Sequence, residues 1–482
     1  MALTLNANHE ARKPAALALP ARSVHGARVS TIRQSEGPRP RAVVVGIQFP
    51  DVSDEAFDAS LRELERLSDT LGMDVIGRVT QKRSVLVAAS VIGEGKLKEL
   101  AVFTGGKGII PAYSAPGATS DDDDEDEEEP DEETKSKRAS YVLVDHELTP
   151  GQTRNLERAT GAQVMDRSMV FLSIFQRHAR TREARLQVEI ARLTYEAPRL
   201  REASAGGDRQ RGGAGQKGAC ETALELDRRK IRDRIAELKR ELEIVKREAD
   251  TRRSRRSGED TPTVALVGYT NAGKSSLMRA LTGDPVYVAD QLFATLDTTV
   301  RVLQPETRPK ILVSDTVGFI KKLPHDLVAS FRSTLEEAKD ASLLLHLVDA
   351  SDPAFRDQLE VTRSVLAEIG ADANPKLLLL NKADRLRAEE RLALAQEFPD
   401  GLLLSARDAD DVRALHARIV GFFESAMEEA ELIVPYSEQR HVATLHARAR
   451  VLEERYEEDG AHVRVRATKA VLAALRRELF GA

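Results

Sequence analysis

Two rhythms of apolar residues run along the chain. In the first, short unbroken apolar runs bounded by turn residues predict buried strands at 41–48, 74–81, 141–145, 264–267, 311–315 and 376–381, with a further one beginning at Gly401. Helices fit between the early runs. Ser53 is placed to cap one that reaches about Leu71, Gly93-Glu94-Gly95-Lys96 makes a tight turn into another over 97–102, and Thr149 with Pro150 opens a third. Strands alternating with helices predict α/β layers. In the second rhythm, Leu186, Ile190, Leu193, Ala197 and Leu200 step by 4, 3, 4, 3, and so do Ile231, Ile235, Leu238, Leu242 and Val245. Two helices with matched seams joined by a Gly-rich loop predict an antiparallel α-hairpin. Beyond Val434 the pattern reads as helix, one strand at 462–466, and helix.

Composition changes this picture in three places. The first forty residues are rich in Ala and Arg with almost no acid, which reads as a disordered tail or an organelle-targeting peptide. Asp121 to Glu133 holds twelve carboxylates; without them the net charge of −6 becomes +6, so the chain is basic apart from one solvated acidic insert at 119–134. That insert is a plain solvated loop or a polyanion mimic that competes for the protein's own basic surface. Within 167–217 eleven Lys or Arg stand against five acids, and the hairpin loop, 201–222, sets Arg201, Arg209, Arg211 and Lys217 among its glycines. Such a tip suits a phosphate backbone, although a solubilising surface would look the same. A single Cys excludes an internal disulfide and points to a reducing compartment. No run approaches the about 20 apolar residues of a membrane span.

Candidate chemistry begins where the run at 264–267 enters Gly268-Tyr269-Thr270-Asn271-Ala272-Gly273-Lys274-Ser275-Ser276 at the mouth of a helix. Strand, Gly-rich loop and helix in this order form the context of a phosphate-binding loop. Backbone N–H groups close around the β-phosphate, Lys274 adds a point charge, and the Ser275 hydroxyl can bind Mg2+. Later stretches set aside the alternative of a plain Gly-rich turn. Asp315-Thr316-Val317-Gly318 places a carboxylate for Mg2+ and an N–H for the γ-phosphate. Asn381-Lys382-Ala383-Asp384 ends on a carboxylate that matches N1–H and the 2-amino group of guanine, whereas adenine offers no such donors. Ser405-Ala406 supplies a small turn for the guanine O6. The first switch falls before Ile311, at Phe293 to Thr299, with Thr295 the favoured Mg2+ and γ-phosphate ligand. Lys274, Thr295 and Gly318 are thus the expected catalytic contacts, and Ser275, Thr295 and Asp315 the metal set. After Gly318 stands Phe319, which cannot orient a water as Gln does, so intrinsic hydrolysis is expected to be slow. Asn271 either helps K+ into the site or merely shapes the loop.

These motifs, with Asp145-His146-Glu147-Leu148-Thr149-Pro150-Gly151-Gln152, Phe175-Gln176-Arg177-His178 and Phe293-Ala294-Thr295-Leu296-Asp297-Thr298-Thr299, resemble the HflX-type GTPases from residue 41 to the C-terminus. The resemblance implies a cytoplasmic GTPase, expected to act as a monomer, that binds the large ribosomal subunit, reaches towards its peptidyl-transferase region with the hairpin loop, and splits stalled or idle ribosomes. A GTP-gated assembly or RNA-remodelling scaffold is the alternative. The implied fold is multi-domain α/β: a tail at 1–40, an N-terminal α/β domain at 41–165, an α-helical hairpin at 166–250, a P-loop GTPase domain at 260–425 and a small C-terminal α/β domain at 430–482. Three features depart from the family pattern: the acidic insert, Ala219-Cys220 where a Pro-Gly pair is usual before Glu221-Thr222, and Arg407 in place of Lys.

Overall fold

The computed structural model describes residues 38–110, 138–205, 217–258, 261–283, 292–293, 299–321 and 337–480. The first layer runs β1 (Arg41–Gln48), α1 (Asp54–Thr70), β2 (Asp74–Lys82), α2 (Glu94–Thr104), β3 (Tyr141–Val144), α3 (Pro150–Thr160), β4 (Gln163–Asp166) and α4 (Arg167–His178). Its four strands are all parallel in the order β2-β1-β3-β4, so β1 is central and buried on both faces, which is why it reads as an unbroken apolar run. Each helix start has a local cause. The Ser53 hydroxyl accepts from the Ala56 N–H at 3.1 Å, and Thr149 and Gln152 form a reciprocal capping box. Helix α4 packs by Val170, Phe171, Ile174 and Phe175 against Leu61, Leu64 and Leu67 of α1.

Helices α5 (Arg182–Ala205) and α6 (Lys217–Gly258) form the hairpin. Leu186, Ile190 and Leu238 are its buried centre, with Leu193, Ile235, Leu242 and Val245 packed on them. The hairpin is expected to end at 250, but α6 continues through Arg252–Gly258, because arginines favour helix and no breaker intervenes before Gly258. The hairpin is pinned at its base: Asp166, at the end of β4, accepts from the Tyr195 hydroxyl at 2.7 Å and from Arg199 at 2.8 Å.

The second sheet is built from β5 (Thr263–Gly268), α7 (Lys274–Thr282), β6 (Thr299–Val302), β7 (Leu312–Asp315), β8 (Leu343–Asp349), α8 (Phe355–Glu368), β9 (Lys376–Asn381), α9 (Ala388–Glu397), β10 (Leu402–Leu403) and α10 (Ala409–Ser425). Its order is β10-β9-β8-β5-β7-β6, parallel except for β6 at the edge. The third comprises β11 (Glu428–Val434), α11 (Arg440–Arg448), β12 (Arg450–Glu457), β13 (Gly460–Ala467) and α12 (Lys469–Phe480). Here the single strand read at 462–466 is corrected to a three-stranded antiparallel sheet, β11-β13-β12. The other two strands escaped notice because one face of the sheet is a lattice of ion pairs, such as Glu429 with Arg464 at 2.8 Å, and only alternate residues such as Leu432 and Val434 are buried. Among the described residues no helix is long and apolar enough to cross a membrane.

Candidate functional site

Ligands of open α/β sheets gather at the carboxyl ends of the strands, and the nucleotide motifs converge at that edge of the second sheet. Strand β5 ends at Gly268 and α7 begins at Lys274. The five residues between turn back on themselves, with Gly273 at φ +98°, where a Cβ would lie 2.2 Å from the Asn381 amide nitrogen. Lys274 is buried and its ammonium donates to the carbonyls of Gly268 at 3.0 Å and Tyr269 at 2.8 Å, which holds it under the loop. Burial pulls its pKa down to about 8 against the opposing charge of Asp315, so at neutral pH it stays a cation. Next along α7, the Ser275 hydroxyl donates to Asp315 at 2.8 Å, and Ser276 is half-buried. A hydroxyl and a fully buried carboxylate side by side are a hard-oxygen pair suited to Mg2+. Gly318 lies hard against this loop: a Cβ there would come within 2.9 Å of both the Lys274 ammonium and the Thr270 Cα.

The base-recognition motifs are tied to the same loop. The Asn381 amide donates to the Ala272 carbonyl at 2.8 Å, and its oxygen accepts from the Ala406 N–H at 3.0 Å, so one side chain joins three motifs. Lys382 adopts φ +63° and pairs with Asp349 at 2.7 Å. Ser405 turns its hydroxyl to Asp384 at 2.7 Å, and this hydrogen bond holds the Asp384 carboxyl below its ordinary range. The carboxylate that would accept from guanine is therefore kept ionised.

Thr295, Arg209 and Arg211 lie outside the described residues. Arg201 and Lys217 fall on the facing ends of α5 and α6. The threonine-rich segment is described at Leu292–Phe293 and again from Thr299, which begins β6 opposite Asp315. Phe293, at φ +58°, stands edge-on to Phe175 and Phe171 of the first layer with centroids 4.8 and 6.0 Å away. The Leu292 N–H donates to the Thr70 hydroxyl at 3.2 Å. What sequence reasoning missed is this seat on the first layer. Phe319, which stands where a Gln would orient water, belongs to the same buried cluster. It is 6% exposed and pairs with the phosphate loop, its N–H donating to the Gly268 carbonyl at 3.1 Å and its carbonyl accepting from Thr270 at 2.8 Å. The only available signal was Tyr269, a large polar residue where the loop needs just a backbone. A cavity of about 740 Å3 runs beside it, lined by Phe57, Glu63, Arg167, Thr270, Asn271 and Lys321 among others.

The chain matches three family models: GTP-binding GTPase N-terminal over 58–109 and 127–176, GTP-binding GTPase Middle Region over 178–256, and 50S ribosome-binding GTPase over 263–382. It is similar to the GTPase HflX of Gluconacetobacter diazotrophicus, 57% identical over 452 residues that cover 92% of this chain and 99% of the relative. With the GTPase HflX of Escherichia coli it shares 38% identity over 423 residues, 87% of this chain and 92% of the relative. Among solved structures, a GTP-binding protein from Sulfolobus solfataricus in complex with GDP is 22% identical with a TM-score of 0.42, covering 79% of this chain and 99% of its own.

Proposed function

The chain belongs to the HflX family of GTPases and hydrolyses GTP to GDP and phosphate, and from that premise we propose that it is a nucleotide-gated factor of the large ribosomal subunit. In this reading a GTP-loaded monomer in the cytoplasm docks rRNA through the hairpin tip, with Arg201, Arg209, Arg211 and Lys217 on the phosphate backbone, and separates stalled or idle ribosomes. Hydrolysis then lets it go. One observation carries the reading: the hairpin and the phosphate loop are fastened to the same first layer. Asp166 holds Arg199 at the hairpin base, and the Tyr269 hydroxyl bonds Glu63 beneath the nucleotide site. In this reading a change at the γ-phosphate is passed through that layer to the hairpin base. The 50S ribosome-binding description of the model matched over 263–382 agrees with it.

Site roles follow from chemistry. The N–H groups of 268–276 and the Lys274 ammonium hold the β- and γ-phosphates, the Gly318 N–H meets the γ-phosphate, and Asp384, backed by Asn381, Lys382, Ser405 and Ala406, selects guanine. Ser275, Asp315 and Thr295 would hold Mg2+, which when bound offsets the charge that develops on the phosphate oxygens. No side chain at 319 can orient the attacking water, so intrinsic turnover is slow and the ribosome stimulates it. Asn271 beside the γ-phosphate suits a K+ ion; equal turnover in K+ and Na+ buffers would remove that element. The test of the whole is a sucrose-gradient profile of 70S particles with the protein and a non-hydrolysable GTP analogue. Splitting moves material from the 70S peak to free subunits. An unchanged 70S peak, with protein still on large subunits, favours the assembly scaffold instead.

A further inference from the structure

Tyr269 has no chemical duty in the nucleotide motifs, which use only its backbone. Its ring is 4% exposed, and a phenylalanine would fill the same apolar space. The hydroxyl is what differs, and it is committed on both sides: it accepts from the Lys321 N–H at 2.7 Å and donates to the Glu63 carboxylate of α1. Burial, reinforced by the charge of Glu63, holds the phenol protonated and keeps it a donor. Glu63 is itself fixed by the guanidinium of Arg167, which is 2% exposed and also pairs with Asp145 at the end of β3. On the backbone side, Phe319 is bonded to Gly268 and Thr270 at 3.1 and 2.8 Å. Residues 319–321 are therefore fastened to the phosphate loop at three points, of which Tyr269 supplies the one that a side chain can tune. The residue immediately before this clamp is Gly318.

We propose that Tyr269 and Glu63 are positioning residues for GTP hydrolysis: together they fix the chain at 319–321 so that the Gly318 N–H is presented to the γ-phosphate, and they make that geometry depend on how the first layer sits against the nucleotide site. Their side chains are engaged by each other, by the Lys321 N–H and by Arg167, so they act through the backbone at 319–321. Their effect falls on what distinguishes GTP from GDP, because only the γ-phosphate meets Gly318. The inference rests on the reading of Gly318 as the γ-phosphate contact.

The experiment uses the full chain and compares Tyr269→Phe, Glu63→Gln, the double variant and Gly318→Ala with the wild type, in steady-state GTP turnover and in GDP affinity measured with a fluorescent GDP. Losing one hydrogen bond to a charged partner corresponds to about a 10- to 150-fold change. Each of the first two variants should lower kcat and kcat/KM together by about that factor, with GDP affinity kept within about twofold, the signature of an interaction that matters at the transition state. The double variant should be no worse than the worse single, since the two act as one unit. Wild-type kcat in Tyr269→Phe, or parallel losses for GTP and GDP, or additive losses in the double variant, would overturn the proposal. Should Glu63→Gln fail to fold because Arg167 loses charge compensation, Tyr269→Phe alone decides. If Gly318→Ala turns GTP over normally, the reading of Gly318 fails. If it is impaired while Tyr269→Phe is not, the positioning role alone fails.

Discussion

The Ser405 hydroxyl, donating to Asp384 at 2.7 Å, keeps a carboxylate ionised where a guanine edge would present two N–H groups. Replacing that carboxylate by an amide turns an acceptor partly into a donor and leaves guanine's own donors facing it. Asp384→Asn should weaken GTP about 10- to 100-fold and favour a base with a carbonyl at the 2-position; unchanged GTP preference in competition binding contradicts this. His346 has an acid liability instead. It is 3% exposed in β8, and burial, with Arg363, Lys376 and Lys274 adding to it, pushes its imidazole down to about 3 from 6.5. Between those values the unfolded chain binds a proton that the folded chain does not, so the stability present above pH 6.5 is lost as pH falls towards 3. His346→Leu should flatten the fall of melting temperature with pH across that window, and parallel curves for variant and wild type would refute the assignment. At this scale the nucleotide residues were legible because their chemistry dictates their type and spacing. Tyr269 and Glu63 were not, since their meeting joins positions 206 apart in the chain.

Elements were legible in proportion to how one-sided their burial is. Strand β1 and the hairpin seams announce themselves, the first as an unbroken apolar run and the second as a repeat that keeps one face of each helix turned to the other. Leu238, 2% exposed at the centre of the seam, has Leu186 and Ile190 opposite it. Leu238→Ala should cost about 2 to 4 kcal/mol in the hairpin, seen as faster amide exchange over 186–193 and 231–245 while GDP affinity stays unchanged. Uniform exchange across the chain would mean that the hairpin is not a separate unit. The C-terminal sheet was largely illegible. In β12 the sequence Arg450-Val-Leu-Glu-Glu-Arg-Tyr-Glu457 carries charges at most positions, and its strand character depends on pairing with β13, a partner that lies outside its own period.

For the molecule as a whole, apolar packing runs without a break from the first layer into the nucleotide half: Leu64, Phe171 and Phe175 belong to the same buried cluster as Tyr269, Leu292, Phe293 and Phe319. Residues 292–293 and 319–320, which flank the proposed γ-phosphate contacts, therefore bear on one surface, and the hairpin is anchored to that surface through Asp166. No periodicity or motif foretells such a seat, because it arises from residues scattered over distant segments. The most direct test of the account is co-sedimentation of the protein with purified large ribosomal subunits in the empty state, with GDP and with a non-hydrolysable GTP analogue. The account predicts firm binding with the analogue, weakening steeply as salt rises, and little binding in the other two states. Equal binding in all three would contradict it.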